Sequence, residues 1–585
     1  ISSRRAFAAL LPLLSQYRKP LLVAFGLLIA ATLLGLTWPV LLKRAFDVNI
    51  SSGDYTGLIW TTAAITLMQG ATLALQYFQR IKLEIVGQDV MLALKQRLFS
   101  HTLALDVSFF DRHPVGRLMA RVESDTEALR MMFTTTAVAL VGDLLLITGT
   151  FAVMLYYSWR LTLILVGIVP IVAILMYLFT RITTPRFLEV RKRMAEITAT
   201  LTEYLHGMSI IQIFSREQYA RERLNAANAA KFKEDSFAEI GVVAFFNMVA
   251  FTEYLAIGLV LLFGIGWSRE GLVTVGTLSM FIILIWRAYE PIFRASEQLS
   301  NIQKAIAGAK RIFALLGTEP RLIEPIRPVA WSRLHQGIAF EDVSFSYTND
   351  ENYALKDATF EIPVGKRVAL AGVTGGGKST VINLLLRFYD PQKGRITVDG
   401  IDLRDVSQED LRKRFALVLQ DIILFPGDVR SNIALDGIGY DDQRIIDAAT
   451  TVDADRFIAR LPKQYATEVS EKGSNFSRGE RQLLSFARAL VVNPDVLILD
   501  EATSSVDPET ERTIQAALKK LMSGRTSLII AHRLSTILDV DQILVIRRGE
   551  IIERGTHTEL ILQNGYYSRL FHLQFKSKNG VASNA

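Results

Sequence analysis

The residues best suited to chemistry stand together at Gly372, Thr374, Gly375, Gly376, Gly377, Lys378, Ser379 and Thr380. Their spacing fits G-x-x-x-x-G-K-[ST], a loop whose glycines let several backbone N–H groups converge on one phosphate. In such a loop the lysine reaches the β- and γ-phosphates and the hydroxyl after it coordinates Mg²⁺, roles that fall to Lys378 and Ser379. A glycine-rich turn that binds nothing would look similar in isolation. Context favours the phosphate reading: the apolar run 367–371 predicts a buried strand entering the loop, and 381–386 predicts a helix leaving it.

Other polar residues follow apolar runs in the same way. Residues 496–500 predict a buried strand ending in Asp500, with Glu501 next. In phosphate-loop enzymes an acid at that strand end holds Mg²⁺. Glu501 is then suited to orient or deprotonate the attacking water. A strand at 527–530 leads to His532, a candidate γ-phosphate contact, and 415–419 leads to Gln420, whose amide can bind metal and water. Tyr347, expected before the first strands of its domain, is a candidate for stacking on adenine, although a lone aromatic is more often core. Ser477 and Gly479 open an apolar helix expected at 483–490 and make a second anion-binding helix end, without a lysine of its own. A second end of that kind implies that two copies complete each other's sites.

The elements that must position these residues fall into two classes. A chain of 585 residues is too long for one core. Half of its residues are hydrophobic, and six apolar stretches are long enough to cross a bilayer: 20–42, 57–77, 134–157, 161–180, 242–267 and 272–286. The connections after the first, third and fifth are short. Those after the second and fourth are long, polar and rich in Lys and Arg, which puts them and both termini on the cytoplasmic side. The net charge of +7 is accounted for by those cytoplasmic residues, so no nucleic-acid partner is expected. Helix is expected to continue over 80–105 and 186–204, with docking segments at 108–116 and 209–217. Pro39, Pro170 and Pro291 are candidate kinks. Asp143, Glu253, Arg287 and Glu290 are ionisable residues in or at the spans; substrate or proton handling and structural pairing both remain open for them.

Composition shifts after Leu316. The expected organisation is a transmembrane domain at 1–318, a linker at 319–334, an α/β phosphate-loop domain at 335–575 and a tail at 576–585. There is no cysteine, which excludes disulfides, thiolate metal sites and cysteine nucleophiles. The chain starts at Ile1, so an initiator residue is expected before it. Its first apolar run leads into a longer membrane pattern rather than a cleavable signal.

These motifs, in this order and over nearly the whole chain, resemble the ATP-binding cassette (ABC) exporters, specifically bacterial half-transporters of the multidrug-exporter type. The resemblance implies that Tyr347 stacks on adenine, 372–380 is the Walker A loop, Gln420 the Q-loop glutamine and Asp500 the Walker B aspartate. It makes Glu501 the catalytic glutamate, Asp507 the D-loop aspartate and His532 the switch histidine. Residues 467–473 match the X-loop, with Ser470 where glycine is usual, and 108–116 and 209–217 match the coupling helices. ATP and Mg²⁺ are the implied ligands. The bacterial inner membrane is the implied location, with the ATP-binding domain cytoplasmic. The implied function is ATP-driven efflux of hydrophobic or amphipathic small molecules by alternating access. A lipid flippase or a peptide exporter is the alternative, and an ATP-gated channel or regulator fits less well with Glu501 and His532 intact. One departure stands out. The family signature Leu-Ser-Gly-Gly-Gln is here Phe476-Ser477-Arg478-Gly479-Glu480, which points to a different half-transporter as partner rather than a second copy.

Overall fold

In the computed structural model of the chain the described residues are 15–348, 350–435, 439–500, 508–530 and 538–579, the side chains of 296, 508–510 and 574–579 excepted. They form two units. The first comprises the described residues of 1–104 and 114–318, the second those of 105–113 and 319–585.

The first unit is built from six long apolar helices: α1 Arg18–Ile50, α2 Tyr55–Leu103, α4 Val115–Tyr157, α5 Trp159–His206, α7 Glu217–Arg269 and α8 Val275–Leu316. Between them lie two short helices, α3 Val107–Arg112 and α6 Met208–Ile213. Starts are set by caps: Asp54 accepts from the Gly57 N–H before α2, and Thr274 accepts from the Thr277 N–H before α8. The 49 residues of α2 rise about 1.5 Å each, more than twice the ~30 Å hydrocarbon thickness. The helix therefore runs well beyond the bilayer, as do α5 and α7. Large apolar side chains such as Leu22, Leu67 and Leu262 stay exposed on outer faces, where lipid would cover them.

α8 is the element against which this unit is packed. Met280, Phe281 and Leu284 on it are fully buried with Val249 and Val260 of α7. Its outer end is tied to α1, where the Asp47 carboxylate accepts from the Thr274 hydroxyl at 2.5 Å and the Gly276 N–H at 2.8 Å. Its inner end is tied to α4. Arg311 forms a two-pronged ion pair with Asp125 at 2.8 and 2.5 Å, where α4 carries a widened turn over Arg121–Asp125.

In the second unit, strands β1 Gly337–Phe345, β2 Leu355–Pro363, β4 Lys393–Val398 and β5 Ile401–Asp402 make an antiparallel sheet in the order β2-β1-β4-β5. A second sheet contains β3 Arg367–Ala371, β6 Phe415–Val418, β7 Val496–Asp500, β8 Thr526–Ile530, β9 Gln542–Arg547 and β10 Glu550–Gly555, ordered β10-β9-β3-β8-β7-β6. All its pairings are parallel except β9 with β10. Its inner strands β3, β7 and β8 are largely apolar because both faces are covered, whereas the edge strand β10 is polar and only half-buried. Val368, Leu370 and Ile498 turn toward the antiparallel sheet, while Ala369, Leu497 and Leu499 turn toward the helical side.

The stretch expected to be a linker differs from that expectation. Trp331 and Leu334 are buried in the core of this unit. The Asp399 carboxylate accepts from the Trp331 indole and the His335, Gln336 and Gly337 N–H groups. Burial pushes the Asp399 carboxyl up, but those donors outweigh it and hold it below the usual carboxylate range. Two apolar anchors in a proline-rich run are too few to register as a pattern in the sequence.

The two docking segments behave differently. α3 packs within the second unit: Phe109 is buried, and Asp106 accepts from the Arg321 and Leu322 N–H groups. α6 buries no residue, and Ile213 is 77% exposed.

Candidate ATP site

The phosphate loop joins β3 to α9 Lys378–Leu385. Gly377, the helix N-cap, has φ of 111°, and a side chain there would strike the Ala354 carbonyl. Gly372 has φ of 149° and faces the Ile546 carbonyl more closely still. Only glycine allows both. Lys378 is 4% exposed and its ammonium donates to the Gly372 and Val373 carbonyls at 2.8 and 3.0 Å, so the charge reaches back across the loop that precedes it. The loop is thus a concave cradle with a lysine and a helix N-terminus aimed into it, which fits a phosphate group.

Sheet register brings the other strand ends to the same edge. Ile530 on β8 pairs with both Leu370 on β3 and Asp500 on β7, and Val418 on β6 pairs with Leu499. Strands about 4.8 Å apart place Asp500 roughly 10 Å from the start of the loop. Gln420 follows β6 and is exposed at this edge. Ser379 and Thr380 lie in the first turn of α9. Glu501, Asp507 and His532 lie outside the described residues.

Tyr347 does not precede the strands as expected. It follows β1, a strand whose irregular burial pattern hides it in the sequence. The ring is 44% exposed and meets the edges of Phe345 at 4.8 Å and Tyr389 at 5.2 Å. Its hydroxyl is also engaged: the Asn383 amide donates to it at 3.0 Å, and it reaches the Thr380 hydroxyl at 3.4 Å. Tyr389, which carries no motif or pattern in the sequence, donates in turn to Asp111 of α3. Burial, then that carboxylate, push the Tyr389 phenol well above its usual range, so it stays a donor. A continuous chain of contacts therefore runs from α9 through Tyr347 and Tyr389 to α3.

The variant signature opens α10 Arg478–Val491. Phe476 fills the core beside Phe457, so an aromatic in place of leucine is accommodated by packing. Ser477 is the N-cap. Its hydroxyl accepts from the Glu480 N–H at 3.2 Å, while the Glu480 carboxylate accepts from the Ser477 N–H at 2.8 Å. This reciprocal cap places an internal anion on the helix end where a phosphate would sit. Ahead of that helix Ser470 is bonded to Asn475, its hydroxyl donating to the amide oxygen at 2.8 Å.

Of the ionisable residues at the membrane spans, Asp143 pairs with Arg294 at 2.7 Å, and Glu290 lies 3.2 Å from the same guanidinium. Arg294 lies beyond the apolar stretch that ends at 286, on the continuation of α8 past Arg287. Arg287 donates to the Gly35 carbonyl. Glu253 has no ion pair among the described residues.

Comparison with known proteins decides the family. The ABC transporter transmembrane region matches residues 21–287, and the ABC transporter family matches 355–504. The chain belongs to the ABC exporters. It is 34% identical over 571 residues to the ATP-dependent lipid A-core flippase of Syntrophus aciditrophicus, covering 97% of this chain and 94% of that protein. It is 36% identical over 510 residues to YheH of Bacillus subtilis, described as a probable multidrug resistance ABC transporter ATP-binding/permease protein, covering 87% of this chain and 75% of that one. A solved bacterial Atm1-family ABC exporter with ATP bound superposes with a TM-score of 0.76 at 27% identity, over 95% of this chain and 98% of that one. As an ABC exporter the chain binds ATP, couples its hydrolysis to export, and lies in the inner membrane as a multi-pass protein with its ATP-binding domain in the cytoplasm. Its single membrane region fused to a single ATP-binding region is the architecture of a half-transporter, which acts as a dimer.

Proposed function

We propose that this half-transporter exports hydrophobic or amphipathic small molecules by alternating access, with ATP sandwiched between its phosphate loop and the partner's signature. The observation that carries this reading is the shared sheet edge, where the cradle of Lys378, the Asp500 strand end and Gln420 converge. Lys378 neutralises the β- and γ-phosphates, and Tyr347 stacks on adenine. Ser379, Asp500 and Gln420 are the residues that would hold Mg²⁺. That ion, when bound, draws charge from the β- and γ-phosphate oxygens. Glu501 takes the proton of the attacking water, His532 contacts the γ-phosphate, and Asp507, Ser477 and Gly479 act across the dimer. Closing of the sandwich draws α3 and α6 together and biases the membrane helices outward. ATP moves that equilibrium only by its preference for the closed state.

A different half-transporter is the favoured partner. The supporting observation is the Glu480 carboxylate seated on the Ser477 N–H, which sets this chain's own signature against a phosphate. Lipid transport is the second reading, favoured by a charged cavity beside an apolar one in the membrane unit. The test is ATPase activity in lipid vesicles across a panel of drugs, lipids and peptides, followed by a transport assay for each stimulator. Stimulation by amphipathic molecules and their ATP-dependent movement is the expected result. Ion flux without cargo movement would replace the exporter reading with a channel.

A further inference from the structure

The turn between β9 and β10 has no part in the chemistry assigned so far. Sheet register decides where it falls. Val545 on β9 pairs with Ala371, the last residue of β3, so Ile546 and Arg547 run on beside the phosphate loop. Arg548 and Gly549 then turn the chain into β10 with φ of 52° and 83°. Positive φ at both places is the hairpin turn that matches strand twist, with glycine favoured at the second. Hairpin tips usually face solvent. Here Arg547 and Arg548 are exposed, but Gly549 is buried.

What buries Gly549 is the loop itself. Its N–H donates to the Gly376 carbonyl at 3.0 Å, and its own carbonyl accepts from the Lys356 N–H of β2 at 2.8 Å. A Cβ on Gly549 would stand 3.0 Å from the Ala354 carbonyl, and one on Gly377 would stand 3.5 Å from the Gly549 Cα. The turn is therefore wedged between the phosphate loop and the start of β2, with no room for a side chain. The ion pair beside it, Lys356 with Glu550, is half exposed and adds little hold.

The bond to Gly376 fixes an orientation as well as a distance. A trans peptide is planar, and its C=O and N–H point in opposite directions. The Gly376 carbonyl is drawn to Gly549, so the N–H of Gly377 in the same peptide is turned away from the hairpin and across the loop. That N–H meets no acceptor among the described residues. Released from Gly549, the peptide could rotate and present its carbonyl, a negative end, to a phosphate. Glycine on both sides of it offers little steric resistance to that rotation.

We propose that Gly549 is a positioning residue for ATP binding: by holding the Gly376 carbonyl it keeps the Gly377 N–H directed at the β-phosphate. Gly549 acts through that one loop peptide and makes no contact with nucleotide. This rests on the reading of the phosphate loop as the ATP site and adds to it a turn from the far end of the domain.

The test is fluorescence titration of the full chain in detergent with the trinitrophenyl derivatives of ATP, ADP and AMP in the presence of Mg²⁺. The parent is expected to bind the first two more tightly than the third. Gly549→Ala puts a methyl group against the Ala354 carbonyl and displaces the turn. It should raise the dissociation constants for the ATP and ADP derivatives about tenfold, the worth of one hydrogen bond to a charged group. The AMP derivative brings no β-phosphate, so its constant should stay within about twofold of the parent's. Gly365→Ala is the control. Gly365 has φ of 71° in the turn before β3 and open space around it, so its variant carries similar backbone strain away from the loop. All three constants should stay within about twofold there. Gel filtration and melting temperature check folding. Gly549→Asn, whose side chain tolerates a left-handed backbone, takes the place of an alanine variant that fails to fold and should show the same pattern. Parent-like affinity for the ATP derivative in a folded Gly549 variant overturns the proposal. So does an equal loss for all three nucleotides, the mark of a merely structural role, or the same pattern in Gly365→Ala. A parent chain that binds the three derivatives alike overturns the phosphate-loop reading as well, whereas failure of the variants on a discriminating parent removes only the role of Gly549.

Discussion

At the scale of single residues, the phosphate-loop lysine and the residue after Asp500 make separable contributions. Glu501→Gln removes a general base, so turnover should fall by roughly 10²–10⁴-fold while ATP still binds. Near-normal turnover in the assembled complex would take Glu501 out of the water-activating role. Lys378→Ala should instead weaken ATP binding, because the ammonium that now lies on the Gly372 and Val373 carbonyls is the charge available to the phosphates. Unchanged affinity would count against that. Tyr347 shows where side-chain identity alone misleads. Stacking needs only the ring, so the sequence predicts Tyr347→Phe to be neutral and Tyr347→Ala to weaken ATP. The Asn383 amide and the Thr380 hydroxyl, both on α9, are in contact with the phenol oxygen. The ring is held in place by its hydroxyl, so Tyr347→Phe is now expected to raise the ATP dissociation constant by a few-fold, about one neutral hydrogen bond's worth. Tyr347→Ala should do more. Parent-like affinity in the Phe variant would restore the pure stacking account.

At the scale of elements, strands buried on both faces were legible because parallel strands read as unbroken apolar runs; β3 and β7 have the expected limits. β1 was missed because only one of its faces is fully covered and its register with β2 and β4 is irregular. Membrane helices were legible as apolar stretches, and so were the polar continuations of α2 and α5 over 80–103 and 186–204. The polar start of α7 over 217–241 was not, because composition does not report the packing that keeps it helical. The C-terminal element carries a pH dependence. The His557 ring bonds to the Tyr567 hydroxyl at 2.8 Å and packs on Phe571, and burial pulls its basicity below the ordinary value. A depressed folded-state value means that the unfolded chain takes up the proton first. The stability contributed by neutral His557 is therefore present above about pH 6.5 and lost as pH falls through the lower folded value. The melting temperature of the full chain should drop between about pH 7.5 and pH 5.5, and His557→Gln should flatten that drop. An equal slope in parent and variant would assign the dependence to other groups.

At the scale of the whole molecule, the proposed heterodimer turns on the signature helix. Glu480 stands where the family carries a neutral glutamine, and its carboxylate occupies the backbone donor that opens α10. A partner's γ-phosphate arriving there meets a like charge and must displace it, while this chain's own phosphate loop keeps an unaltered Lys378 and Glu501. The arrangement makes sense in a heterodimer whose other member supplies an unaltered signature to this loop and carries an altered glutamate of its own. One composite site then hydrolyses ATP and the other holds it. Expressed alone in lipid, the chain should form few cross-linked dimers and show low, weakly stimulable ATPase activity. Glu480→Gln makes the prediction sharper, because glutamine at the third helical position still completes the reciprocal cap and removes only the charge. That variant should keep the parent's melting temperature and raise the ATPase activity of the chain expressed alone. A parent chain that is a robust homodimer hydrolysing at two equivalent sites would sink the heterodimer reading. A variant no more active than the parent would show that the carboxylate is not what holds the signature back.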